Sequence, residues 1–311
     1  MKTKLSIHKR YNLLFIKSVN NLLIRKSNIN KNYWYIYNFV FLSLFLSGCS
    51  RKIPPKDMIF VSEGTLSTTI PYTNSAIEHK IQSFYIDKNL VSVADFTQFV
   101  KTKNFVTDAE KFGNSTVFDI DDKIWKLVDS ANYIHPLGKS KEFKAANNHP
   151  VTQVSWQDAS YYCSCQGKRL PTDAEWEFAA KNGKEKYNDL YAWGNHSKEG
   201  KKFKANFWQG HFPTKNTVED GFLYTSPIGF FGENKLGISD MGGNVWQWCS
   251  NDIEPTATEV VGDPAMRKVL RGGSFLCDPA VCHGFKVSGR SSSTPETASN
   301  HVGFRCVKDI R

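Results

Sequence analysis

Three stretches of the chain carry apolar residues at helical spacing directly behind a residue that can cap a helix. Ser92-Val-Ala-Asp95 opens a pattern that places Val93, Phe96, Phe99 and Val100 on one side, the recurrence of an amphipathic helix. Ser155-Trp-Gln-Asp158 opens a second, which should stop at Gly167, and Thr172-Asp-Ala-Glu175 a third. In the third, Thr172 and Glu175 form a capping box that satisfies free backbone amides at the helix start. Residues 81–86, 269–275 and 302–307 have the apolar and β-branched content of strands, on which the helices should pack. Residues 186–240 are rich in Gly, Asn and aromatics with little periodicity. They read as irregular but ordered, because six tryptophans between Trp156 and Trp248 argue for a packed core.

The pattern near the N-terminus is different. A basic region leads into an apolar run over 33–46, followed by Leu46-Ser47-Gly48-Cys49. The run is short for a membrane span, and small residues before a cysteine suit a lipoprotein signal peptidase. Residues 1–48 are therefore expected to be a signal segment, long enough in its basic part to carry an N-terminal extension, with a short transmembrane anchor as the alternative. Cys49 would be the lipidated first residue of the mature chain, and 49–56 a tether carrying Pro54 and Pro55. On this reading the body, 57–311, is exported and held to a bacterial membrane on its periplasmic or cell-surface side. No repeat or long linker interrupts it, and roughly 260 residues suit one large domain.

Charge follows the same division. The first 56 residues hold eleven Lys or Arg and no Asp or Glu, so 40 basic residues less 11 leaves 29 against 30 acidic ones, a net of −1 for the body. A nucleic-acid surface would need a basic patch, and none is expected here.

The candidate chemistry lies in Arg271-Gly-Gly-Ser-Phe-Leu-Cys277-Asp-Pro-Ala-Val-Cys282. Two cysteines five apart, among glycines and a proline, could hold a soft ion such as Cu(I) between two sulfurs. The same spacing fits a small disulfide loop, which is common in exported proteins. No His/Cys set has zinc-finger spacing, and His79, His135, His149, His196 and His283 form no evident iron triad.

Several segments together resemble one family. They are Val154-Ser-Trp-Gln-Asp-Ala-Ser-Tyr-Tyr-Cys163, Gly167-Lys-Arg-Leu-Pro-Thr-Asp-Ala-Glu-Trp-Glu177, Gly242-Gly-Asn-Val-Trp-Gln-Trp248, Arg271-Gly-Gly-Ser274 and Gly303-Phe-Arg-Cys306. The chain is similar to the formylglycine-generating enzymes, or sulfatase-modifying factors, over about 57–309. The resemblance implies an α+β fold, a single compact loop-rich domain related to C-type lectins. Cys277 and Cys282 sit where active members carry a catalytic pair that binds Cu(I) and uses O2 to convert a substrate cysteine into formylglycine. Ser274 resembles the active-site serine, although a turn hydroxyl after two glycines is the plainer reading of the residue itself. Trp246, Arg290 and Asn300 match positions lining the substrate groove; a core tryptophan and a solvated arginine compete with the first two assignments. Asp278 departs from the histidine of well-known members, and its charge could alter thiolate basicity.

By the same resemblance, Asn206 and Asp220, with the carbonyls of Phe207 and Phe222, match a calcium site, and hard Ca2+ takes such oxygens. A second site would use Asp240 with the carbonyls of Gly243 and Val245, but Gln247 stands where a carboxylate is needed, which should weaken it. Resemblance also pairs Cys163 with Cys306. Cys165 and Cys249 are then expected to be buried free thiols, with a bridge between them left open. The leading expectation is a copper- and O2-dependent oxidase acting on a Cys-x-Pro-x-Arg segment of an unfolded sulfatase. Oxidation of a different thiol substrate stays open, and the alternative is a non-catalytic surface lipoprotein that binds protein or carbohydrate.

Overall fold

Side-chain caps set the helix starts. The computed structural model describes residues 54–69, 76–253 and 267–310, so the signal segment, Cys49 and most of the tether lie outside the described residues. The first elements are β1 (Met58–Val61), β2 (Gly64–Thr69), β3 (Ala76–Ile81) and β4 (Phe84–Asp87). The strand expected over 81–86 is thus two, broken at residues 82–83. The helix α1 (Val93–Lys103) begins where the Ser92 hydroxyl accepts the Asp95 amide at 3.0 Å, buries Val93, Phe96 and Phe99, and ends at left-handed Asn104. A five-residue helix not anticipated above, α2 (Asp108–Phe112), is framed by a Thr107/Glu110 capping box and stopped by Gly113 at φ 77°. It leads into the hairpin β5 (Asn114–Asp119) and β6 (Ile124–Asp129).

The helices α3 (Trp156–Cys165) and α4 (Asp173–Ala180) start at Ser155 and Thr172, each with a complete capping box. Irregularity dominates 186–240. Its strands are two-residue pairs, β7 (Lys198–Glu199) with β8 (Lys202–Phe203) and β9 (Gly210–His211) with β10 (Lys215–Asn216). The remaining strands are β11 (Trp246–Asp252), β12 (Lys268–Arg271), β13 (Arg290–Ser293), β14 (Val302–Gly303) and β15 (Val307–Asp309).

Two expected strands are shorter than their apolar content implied. The one over 269–275 stops at Arg271 because Gly272 and Gly273 turn the chain at φ 92° and 68°. A Cβ on Gly273 would stand 2.7 Å from the Phe285 backbone nitrogen, so the bend requires glycine. The one over 302–307 divides between sheets. Its first part, β14, runs parallel to β11 at the edge of a sheet ordered β13-β12-β11-β14, and its second, β15, joins β1-β4-β15. The intervening Phe304, Arg305 and Cys306 are fully buried. Cys306 is bonded to Cys163 of α3, with Cα atoms 5.7 Å apart. The Phe96 ring meets Tyr133, Tyr162 and Phe304 at the centre of one core cluster. A second core cluster joins Ile86 of β4 to Trp176 and Phe178 of α4.

Candidate active site

The two-glycine bend after β12 delivers the chain into a turn that brings Cys277 and Cys282 together as a disulfide, Cα atoms 5.2 Å apart. Backbone bonds build this turn. The Cys277 amide donates to the Ser274 carbonyl at 2.9 Å, and the Val281 and Cys282 amides both donate to the Asp278 carbonyl, at 3.0 and 2.7 Å. Cys277 is buried, whereas Cys282 is half-buried and within reach of solvent. The Gly284 amide donates to the Cys282 sulfur at 3.3 Å.

Ser274 is buried, and its hydroxyl accepts the Leu276 amide at 3.3 Å, the turn-capping role that the residue alone implied. Asp278 is buried too. One carboxylate oxygen caps the Ala280 amide at 2.8 Å and the other accepts the Phe212 amide at 3.1 Å. Through these two amides Asp278, the departure from the family pattern, braces the turn and ties it to the loop after β9. Trp246 is buried on β11 and packs on Gly284, where a Cβ would collide with its ring and stand 3.1 Å from the Cys282 sulfur. Asn300 is buried, and its side chain accepts the Phe118 amide at 3.2 Å and donates to the Phe118 carbonyl at 3.4 Å.

Arg290 opens β13 within an ion network. It lies opposite Arg271 in the β12–β13 register, and its guanidinium pairs with Asp173 at 2.9 Å and Glu177 at 3.5 Å. These carboxylates belong to α4 and also hold fully buried Arg271, which pairs with Asp173 at 2.8 Å and with Glu177, and donates to the Gly289 carbonyl at 2.7 Å. Burial alone would raise the Glu177 carboxyl, but Arg271, Lys181 and Arg290 outweigh it and hold it below its ordinary value. No local pattern marks the network, because its carboxylates and guanidiniums lie about 100 residues apart along the chain. His301, next to Asn300, also carries no sequence signal of its setting. Burial pushes its imidazole down to about 3, its Nδ1 has no partner, and Trp125 meets it edge-on at 4.9 Å.

The residues of the first calcium set converge. Asn206 is buried; its Nδ2 donates to the Tyr224 carbonyl at 2.8 Å while its Oδ1 has no partner. Asp220, also buried, accepts the Phe207 and Phe222 amides at 3.3 and 3.0 Å. Burial raises its carboxyl above the ordinary value, against hydrogen bonds from Phe222, Gln209 and Phe207 that pull it the other way. The orphaned Asn206 oxygen and the desolvated Asp220 carboxylate are donors of the kind a hard cation takes, although both Asp220 oxygens already accept amides and Gln209 donates to the Phe207 carbonyl. The second set does not fit. The Asp240 carboxylate accepts from Gly229 and Asn244 at 2.7 and 3.2 Å. The Gln247 Oε1 takes Trp176 and Arg305, each at 2.8 Å, and the buried Arg305 guanidinium also donates to the Asp240 carbonyl at 3.2 Å. A cation beside that guanidinium would be repelled.

The cysteine pair, once reduced, would offer two soft donors, which suits Cu(I). Among the described residues no three or more His, Cys, Asp or Glu side chains gather into a metal-binding group. Cys165 and Cys249 are free among the described residues, Cys249 buried as expected and Cys165 only half-buried.

This α+β scaffold, with few helices and many short strands, is also that of PvdO from Pseudomonas aeruginosa. That solved structure is 17% identical, covers 82% of this chain and 96% of its own, and superposes with a TM-score of 0.60. Residues 47–310 match the sulfatase-modifying factor enzyme 1-like domain, and the chain belongs to that family. A formylglycine-generating enzyme of Streptomyces coelicolor is 41% identical over 251 residues, 74% of this chain and 79% of that protein. An inactive Cα-formylglycine-generating enzyme 2 of Mus musculus is 36% identical over 249 residues, 75% and 77% of the two chains.

Proposed function

We propose that this protein oxidises a cysteine in a Cys-x-Pro-x-Arg segment of an unfolded sulfatase to formylglycine, using O2. The observation that carries the reading is the turn holding Cys277 and Cys282 in one another's reach, one sulfur buried and the other half-open. Such a pair can exchange with an incoming thiol at its open member, Cys282, while Cys277 is held in place. In the reduced state both thiolates would bind Cu(I), which would supply the one-electron steps that O2 chemistry requires. In the net reaction the thiol carbon becomes an aldehyde and its sulfur leaves as hydrogen sulfide. One oxygen atom of O2 enters the aldehyde and the other forms water, balanced by two protons and two electrons from an external reductant. Trp246 and Asn300 are the groove residues retained in this reading. Arg290 acts through Asp173 and Glu177 as a positioning residue for the strand that feeds the turn. Calcium is proposed at Asn206 and Asp220 with the carbonyls of Phe207 and Phe222, in a structural role. The protein would work outside the cytoplasm, anchored by lipid on Cys49.

The test is mass spectrometry of a Cys-x-Pro-x-Arg peptide incubated with residues 54–311, Cu(I), reductant and O2, beside Cys277→Ser and Cys282→Ser. Conversion to the aldehyde by the native chain and by neither variant establishes the activity. Because relatives named as inactive are nearly as similar as active ones, the opposite outcome is informative. Copper binding without conversion would point to another thiol substrate, and no copper binding to a binding lipoprotein.

A further inference from the structure

We propose that the outward face of the β5–β6 hairpin, centred on Trp125 and Leu127, is a shelf that receives apolar side chains of the substrate polypeptide beside its target cysteine. This rests on the reading above for the identity of the substrate. Trp125 lies opposite Phe118, and Leu127 opposite Thr116. Strand alternation therefore puts Trp125 and Leu127 on the Phe118 side of the hairpin. That side looks toward the cysteine turn, because buried Phe118 clusters with Trp208, Phe275 and Leu276.

Ring contacts fix Trp125 from both directions. Its ring meets Phe118 at 5.2 Å, Phe118 meets Phe212 at 5.1 Å, and the Phe212 amide is held by the Asp278 carboxylate within the cysteine turn. On the other flank the ring meets His301 at 4.9 Å, next to Asn300, whose side chain clamps Phe118. Despite this anchoring, Trp125 is 47% exposed, Leu127 is 73% exposed, and Val281 on the cysteine turn is 66% exposed. A tryptophan locked in one orientation yet left half open has its ordering entropy already spent, which is how an aromatic anchor gains affinity.

The occupant follows from what adjoins the shelf. Among the described residues β6 pairs only with β5, so its outer edge offers free backbone groups. An extended polypeptide is the partner that matches an open strand edge and an apolar face at once. Continuity with the cysteine turn makes it the chain that brings the target thiol.

The experiment measures binding, without turnover, of two fluorescent peptides in which serine replaces the target cysteine. One has leucine at the positions flanking the recognised segment and the other has serine there. The native chain should bind the leucine peptide about tenfold more tightly. Trp125→Ala and Leu127→Ser should each erase most of that preference while still unfolding in one cooperative transition, whereas Phe112→Ala, exposed elsewhere on α2, should keep it. Equal binding of the two peptides by the native chain, or an undiminished preference in both shelf variants, overturns the shelf. Conversion of the matching cysteine peptide is followed in parallel. A retained preference without conversion supports the shelf and defeats the activity reading; conversion without a preference does the reverse.

Discussion

At the scale of single residues, the most loaded carboxyl is Asp158, the third residue of α3. It accepts the Ser155 and Asp108 amides and lies close to the Asp108 carboxylate, which is itself bonded to the Ser155 hydroxyl. Burial first, then that neighbouring charge, raises its pKa to about 6, against amide hydrogen bonds that pull the other way. Below about pH 4 the group is protonated in folded and unfolded chains alike. As pH climbs from there to about 6 the unfolded chain releases its proton first, so stability is lost through that window and stays lost above it. The expected loss is on the order of 2–3 kcal/mol. Urea unfolding at pH 4 and pH 7 should show Asp158→Asn losing less than the native chain. An equal loss in both would mean the carboxyl titrates normally.

Among the elements, the β12–β13 pair and α4 are joined by an ion network in which the two arginines are not equivalent. Arg271 is fully buried, so Arg271→Met strands Asp173 and Glu177 without their principal cation and should cost about 3–5 kcal/mol. Arg290 is partly exposed, and Arg290→Met should cost about 1 kcal/mol or less. Guanidinium chloride titrations of the two variants give the comparison directly, and comparable costs would refute the asymmetry. The same elements show what the sequence disclosed. The starts of α1, α3 and α4 were legible because Ser92, Ser155 and Thr172 cap through local bonds. Thr107-Asp-Ala-Glu110 carries the same signature, but α2 is too short to show an apolar period. Strand ends were harder. Val269 to Phe275 has the apolar content of one strand, and only the three-dimensional crowding at Gly273 reveals why it must stop at Arg271. At the site, the cysteine turn was legible as a motif. The roles of Arg290, His301 and Asp278 depend on partners distant along the chain or across a turn, which no local pattern records.

For the whole molecule, two constraints should govern stability. The Cys163–Cys306 bond spans 143 residues and joins α3 to the segment linking two sheets. Replacing both cysteines by alanine should cost about 2–5 kcal/mol, read as a lowered melting temperature in non-reducing buffer. Calcium at Asn206 and Asp220 would pin the loop whose Trp208 amide holds the Cys277 carbonyl at 3.1 Å. At a hundredfold excess over its Kd the ion should add about 2.7 kcal/mol. Asn206→Leu should abolish that calcium-dependent rise in a calorimetric scan; a rise that persisted would place the ion elsewhere.

The second disulfide closes a loop of a different kind. The chain is already fastened before Cys277 by buried Arg271 and Ser274, within the turn by Asp278, and after Cys282 by the seat of Gly284 against Trp246. With both approaches pinned, breaking the sulfur–sulfur bond would release almost no conformational freedom. On the proposed activity, the turn would then pass between oxidised and reduced forms as a latch on a fixed frame, while the long-range bridge keeps that frame standing.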